Sequence, residues 1–298
     1  MALTINTNSS AALATMHLSK NNSALKKSLN RLSSGSRIVQ PVDDAGGLAV
    51  SMKLESKIIR LSGAAKNIQN AQSFLEVQDG VLTSASKILN RMVELKGLSS
   101  DVMKNDSDKA NYNREFQDLQ LQIYDMAQLQ FNGVSLFATY NQGNGNGVFF
   151  AQPTNGSREF DNKVSVFVSA EGATGPKVSV AKSLLLSALT IDASDLKSSM
   201  YTVGINNDGT TDVKTFASSD IAQTMSLDDI SVGVFTQALE NIATLRAENG
   251  GTMSRLNFAS DNIATTKTNI EAANGRIVDV DVAAESTQLA KYNVLIQA

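Results

Sequence analysis

The stretch LTINTNSSAALATMHLSKNNSALKKSLNRLSSGSRIV, Leu3–Val39, decides how the rest of the chain is read. Ala11, Leu18, Leu25 and Leu32 recur every seven residues, the beat of a helical seam. Three and four positions further on stand Ala14, Thr15, Asn21, Asn22, Ser28 and Leu29, mostly small or amide side chains. A coiled-coil seam needs two apolar positions per heptad, and this segment offers one dependable one. Ordering its backbone costs about 1–2 kcal/mol per residue, so the arm on its own is expected to be disordered or frayed.

A second stretch mirrors the first, with Leu256, Ile263, Ile270, Ile277 and Ala284 again seven residues apart. Residues 1–42 carry Lys20, Lys26, Lys27, Arg31 and Arg37 and no acid, whereas 256–298 carry five acids against Lys267, Arg276 and Lys291. Opposite charge and shared periodicity place the two arms side by side. Two readings stay open: an ordinary helical hairpin, or a pair of arms whose thin seam is completed by other copies of the chain.

At 298 residues and 42% hydrophobic content the chain can bury a core. It has no cysteine and one histidine, His17, so disulfides, thiolate metal sites and imidazole chemistry are largely excluded. A net charge of −3, with no aromatics interleaved in the basic arm, argues against nucleic acid as a partner. Apolar blocks such as Leu184–Leu186 are too short to span a membrane. With no charged segment and apolar run at its start, the chain reads as cytosolic or as exported without a cleaved Sec signal.

The fold class expected is mainly α with an inserted β-rich module, a long helical hairpin or coiled-coil bundle formed by the N- and C-terminal segments. The first helix should stop near Val39, ahead of Pro41, with Asp43 or Asp44 capping the next. From Ala45 the apolar face widens: Leu54, Leu61, Ile68, Leu75, Leu82 and Leu89 keep the heptad beat, joined by Ala64, Ala71, Ala85 and Met92 and by Phe74, Val81, Ile88 and Leu95. One long helix to about Ser100 is expected. After a cap within Asn105–Ser107, a third helix along Tyr112, Phe116, Leu119, Ile123 and Met126 should end at Phe131-Asn132-Gly133.

Turn residues and β-formers then take over, at Val148–Ala151, Val164–Val168 and Lys177–Val180, with a tight turn at Asn206–Gly209. Ser183–Leu189 fits a short helix or a strand. Ser226 and Asp229 approximate a capping box for a last helix running to the end of the chain, with Asn249-Gly250-Gly251 as a weak point. The segments are thus 1–43 (N-terminal arm and hinge), 44–137 (first part of the bundle), 138–226 (variable module), 227–255 (second part of the bundle) and 256–298 (C-terminal arm). A module inserted at the tip of a helical hairpin should project away from it.

No catalytic set emerges. A zincin motif needs two histidines, a Ser-His-Asp triad would have to use His17 on the thin arm, and no Gly-rich phosphate loop follows a strand. Asp279 and Asp281, two apart on an expected helix, would diverge by about 200 degrees. Residues 138–226 contain neither His nor Cys, so an enzyme housed in the module lacks a nucleophile–base pair. No cofactor is expected.

Several motifs carry a family likeness. Arg31-Leu32-Ser33-Ser34-Gly35-Ser36-Arg37-Ile38, then Asp43-Asp44-Ala45-Gly46, resembles the N-terminal signature of bacterial flagellins, as do Leu3–Asn8 and Gln130-Phe131-Asn132-Gly133. Arg255-Leu256 and Ile277–Glu285 resemble the C-terminal signature. The likeness covers about residues 1–140 and 226–298. It implies a secreted subunit that self-assembles into the flagellar filament, with an inner tube of coiled-coil arms and an outer shell of long helices. Arm packing then falls to Leu18, Leu25, Leu32, Leu256, Ile263, Ile270 and Ile277.

The resemblance further implies an export chaperone that grips the C-terminal arm, cap and hook-filament junction proteins as partners, and a surface for the flagellin-sensing Toll-like receptor at Arg91, Leu95 and Glu115. Leu98 departs from the polar amide usual beside that surface. Members of the family continue past Tyr292–Ala298 for several helical turns, so the sequence reads as short of the usual end. The competing classes are a junction protein sharing the terminal helices, and a secreted helical binding module that does not polymerise.

Overall fold

The computed structural model describes residues 8–138, 163–192 and 213–297. Its elements are α1 (Ser9–Ser34), α2 (Ala45–Ser99), α3 (Asp106–Ala127), β1 (Gln130–Phe131), β2 (Val134–Ser135), β3 (Lys163–Phe167), β4 (Lys177–Ala181), α4 (Leu185–Ala188), β5 (Thr190–Asp192), β6 (Val213–Thr215), α5 (Val232–Val278) and α6 (Val282–Gln297). The architecture is mainly helical with a small strand-containing middle region, as the periodicities require. Two compact units divide it: Met1–Ala64 with Asn262–Ala298, and Ala65–Asp261.

In Ala65–Asp261 the heptad stripe of α2 does what its pattern dictates. Ile68, Leu75, Leu82 and Leu89 are fully buried, with Phe116 and Ile123 of α3 and Phe235, Ile242 and Leu256 of α5. Phe116 packs edge-on against Phe235 at 6.0 Å between ring centres, and Phe216 lies 5.0 Å from Phe235. Asn105 caps α3 by accepting from the Asp108 amide at 2.8 Å, while Asp108 reaches back to the Asn105 amide, closing a capping box.

Among the described residues the strands form three antiparallel pairs: β1–β2, β3–β4 with Lys163 opposite Ala181, and β5–β6. The described part of the middle region lies on the helices of its own unit. Leu185, Leu189 and Phe216 are buried, and Asn241 of α5 donates to the Ala188 carbonyl at 3.1 Å. The segment leading into α5 is held by three polar side chains. Gln120 donates to the Met225 carbonyl and accepts from its amide, both at 2.9 Å. Asn113 accepts from the Leu227 amide at 2.9 Å, and Lys96 donates to the Leu227 carbonyl at 2.6 Å.

Several expected boundaries move, each for a local reason. Helix α1 stops at Ser34 because Gly35 takes a left-handed φ of 69°. Helix α3 stops at Ala127, and Asn132 and Gly133, at φ 49° and 77°, instead make the two-residue turn of the β1–β2 hairpin. Ser226 does not cap a helix, since its hydroxyl donates to Asn113 at 3.2 Å; a short 3₁₀ turn, Leu227–Asp229, intervenes and α5 begins at Val232. Helix α5 passes through Asn249-Gly250-Gly251 without a break and ends at Val278.

Asp279 and Asp281 therefore do not sit on one helix. Asp281 opens α6, accepting from the amides of Ala283 and Ala284 at 3.0 and 3.1 Å. Ser183–Leu189 contains the one-turn helix α4. The readings at Val148–Ala151 and Asn206–Gly209 lie outside the described residues.

Candidate assembly site: the joint of the two arms

In the unit Met1–Ala64 with Asn262–Ala298, α1 and α6 pack side by side and run antiparallel, Arg31 near the end of α1 reaching Glu285 near the start of α6 at 3.6 Å. Beyond Gly35 the chain crosses the break between α5 and α6. Ser36 bridges Asp279, the Arg37 amide donates to the Val278 carbonyl at 2.6 Å, and the Val280 amide donates to the Gly35 carbonyl at 3.0 Å. The Arg37 guanidinium donates through Nε and Nη2 to the Ile277 carbonyl at 3.2 and 2.8 Å. Those carbonyls end α5 and have no partner inside the helix, so Arg37 satisfies them and places a cation at the negative pole of the helix dipole.

The residues after Arg37 fold around two carboxylates. Asp43, its side chain nearly buried, pairs with Lys27 at 2.5 Å and Arg31 at 3.9 Å, and accepts from the amides of Val39 and Gln40 at 3.2 and 3.1 Å. The Lys27 hydrogen bond foremost, then the Gln40 and Val39 amides, hold its pKa at about 2 against the ordinary 3.8, although burial pushes the other way. Asp44 is the N-cap of α2: its Oδ1 accepts from the Gly47 amide at 2.8 Å and its carbonyl from the Leu48 amide at 3.0 Å. A Cβ at Gly47 would run into the Asp44 carboxylate and, at 2.9 Å, the Ile38 side chain.

Burial along the arms is uneven. Leu256 and Ile263 are buried, Ile270, Ile277, Leu25 and Leu32 are half-buried, and Leu18 is 48% exposed. Leu13 and Met16 are 53% and 56% exposed on the same helix. Ser28 is the one buried residue of α1, and α6 has none. The largest fully buried side chains, among them Phe116, Phe235, Leu89 and Met92, belong instead to Ala65–Asp261. The arms thus leave Leu13, Met16, Leu18 and Leu29 of α1 and Val294 and Leu295 of α6 exposed.

Arg91 and Glu115 meet on the surface at 2.7 Å, Arg91 also reaching Glu94 at 2.7 Å; these carboxylates raise the guanidinium pKa above its ordinary value. Leu95 is fully buried and does not share that surface. Sequence reasoning offered Asp43 or Asp44 as the cap of α2, and Asp44 is that cap, but it missed the pairing of Asp43 with Lys27, and of Arg37 with the end of α5. Their only signal is the presence of all four positions in or beside the two signature motifs. Among the described residues no three His, Cys, Asp or Glu side chains are grouped to hold a metal ion, and no helix is long and apolar enough to cross a membrane.

Comparison with known proteins matches the two ends of the chain. Residues 5–142 match the bacterial flagellin N-terminal helical region, and residues 232–298 match the bacterial flagellin C-terminal helical region. The flagellin of Bacillus subtilis (strain 168) is 34% identical over 295 residues, covering 97% of this chain and 91% of that one. Flagellin FlaB2 of Treponema pallidum (strain Nichols) is 28% identical over 297 residues, covering 99% and 92%. The crystal structure of Bacillus cereus flagellin aligns with a TM-score of 0.42 at 21% identity, covering 70% of this chain and 94% of that one. Two matched regions that meet at one joint, and a relative aligned over nearly its whole length, place this chain in the bacterial flagellin family.

Proposed function

We propose that this structural subunit of the flagellar filament polymerises through its two arms, with Leu18, Leu25, Leu32, Leu256, Ile263, Ile270 and Ile277 carrying arm packing. The observation behind this reading is the contrast in burial: a body with a filled core, and two packed arm helices, α1 and α6, that bury one serine between them. Apolar surface of this extent is stabilised by burial against further copies. A contact between unlike surfaces of successive copies need not close, and where it stays open it propagates as a helical filament. The arms order fully as those copies arrive.

Replacing Leu25 by Asp puts a charge into the half-buried seam. Seeded polymerisation, followed by sedimentation and electron microscopy, should fail, while circular dichroism of the bundle stays near that of the parent. Normal filaments from Leu25→Asp would sink the proposal.

The uncovered C-terminal arm also suits the export chaperone, and the filament's ends suit cap and hook-filament junction proteins. For the flagellin-sensing Toll-like receptor, the surface reduces to Arg91 and Glu115, since both side chains are about 42% exposed and Leu95 faces the core. Arg91→Ala should lower the response of receptor reporter cells to monomer without lowering its thermal stability; an unchanged response removes this surface from consideration.

A further inference from the structure

Two buried polar residues in Ala65–Asp261 interrupt apolar stripes. On α2, Ala64, Ala71, Gln78, Ala85 and Met92 follow at seven-residue spacing and all are buried; on α5, Ile242, Asn249, Leu256 and Ile263 do the same. Gln78 is 0% exposed and Asn249 is 3% exposed. Each is the polar member of its stripe.

The cross-helix pairs place them at one level. Gln72 donates to Asn257 at 2.6 Å, and Arg246 grips Asp79 through two hydrogen bonds at 2.8 and 3.1 Å, so α2 and α5 run antiparallel here. Gln78 adjoins Asp79 in the chain, and Asn249 lies one turn beyond Arg246. The amide nitrogen of Gln78 donates to the Leu136 carbonyl at 2.6 Å, which fixes its orientation and leaves Oε1 as an acceptor with no partner. Asn249 Nδ2 is a donor with no partner. One stranded acceptor and one stranded donor occupy the same level of an apolar interface, where either alone is costly.

We propose that Gln78 and Asn249 form a single buried polar layer that sets the register of α2 against α5. Heptad stripes match themselves again after a slide of seven residues, about 10 Å along a helix. Apolar packing alone therefore discriminates poorly between successive registers. A one-heptad slide sets Gln78 against Ile242 or Leu256 and Asn249 against Ala71 or Ala85, stranding both amides in hydrocarbon. The surface pairs do not replace this discrimination, because Arg246 and Asp79 are 43% and 34% exposed and exposed ion pairs contribute little. A lone polar layer setting register is a known device of helical seams. For a filament subunit, register decides which outward side chains of the two long helices stand at the same height.

The absence of cysteine makes disulfide trapping in the full chain unambiguous. Gln72→Cys with Asn257→Cys should cross-link on oxidation, whereas Gln72→Cys with Gly250→Cys or Ala264→Cys, seven residues to either side, should not. Gln78→Leu and Asn249→Leu should each lower the melting temperature by about 5 °C. The double leucine variant should lose less than the sum of the two single losses, the Leu136 carbonyl remaining unpaired, and now cross-link at the offset positions. Moving half the layer, Gln78→Ala with Ala85→Gln, keeps a buried amide and should favour the 72–264 cross-link in particular. Cross-linking confined to 72–257 in both backgrounds would overturn the proposal, as would single-site losses that simply add in the double variant.

Discussion

Asp43 gathers two cations from the last turns of α1 and two backbone amides from the segment just before it, and its acidity follows from them. Its folded pKa of about 2 lies below the ordinary 3.8, so an unfolded joint binds the proton more readily than a folded one. The stabilisation from this carboxylate is therefore complete above about pH 4 and lost as pH falls towards 2. Hydrogen exchange at the Val39 and Gln40 amides, which Asp43 accepts, gives a local readout. Their protection should fall across that range, and Asp43→Asn should show weak protection throughout. Protection independent of pH in the parent would contradict the assignment.

At the scale of elements, the segment entering α5 depends on α3. Gln120 is fully buried and satisfies both backbone groups of Met225. Gln120→Leu keeps the volume but leaves a buried amide and a buried carbonyl unpaired, a cost of about 3 kcal/mol by urea unfolding. The helices themselves were legible in the sequence: α2 lies within three residues of the span read from its leucines, because a wide apolar stripe and local capping settle a helix without help from elsewhere. Asn132-Gly133 was misplaced because the same two residues serve to end a helix or to turn a hairpin. Ser226 misled because its hydroxyl is claimed by Asn113, more than a hundred residues earlier. The two signature motifs were each visible, but nothing local says that Arg37 ends on the carbonyls of Ile277 and Val278. Leu95 stood in both the core stripe and the expected receptor surface, and packing settled it for the core.

For the whole molecule, the joint between the arms combines residues 240 positions apart. Closing a loop of that length costs about 5 kcal/mol in chain entropy if nothing in between is folded. The cost shrinks once Ala65–Asp261 has packed, because the intervening chain is then already gathered. Folding therefore has a timetable. A chain delivered end first, whichever end leads, holds one half of the joint idle until the other emerges, and Arg37 meets Ile277 only after nearly everything between them is in place. The closing of this joint is thus a late event that reports the arrival of both ends, so a chain missing either one has no means of completing it.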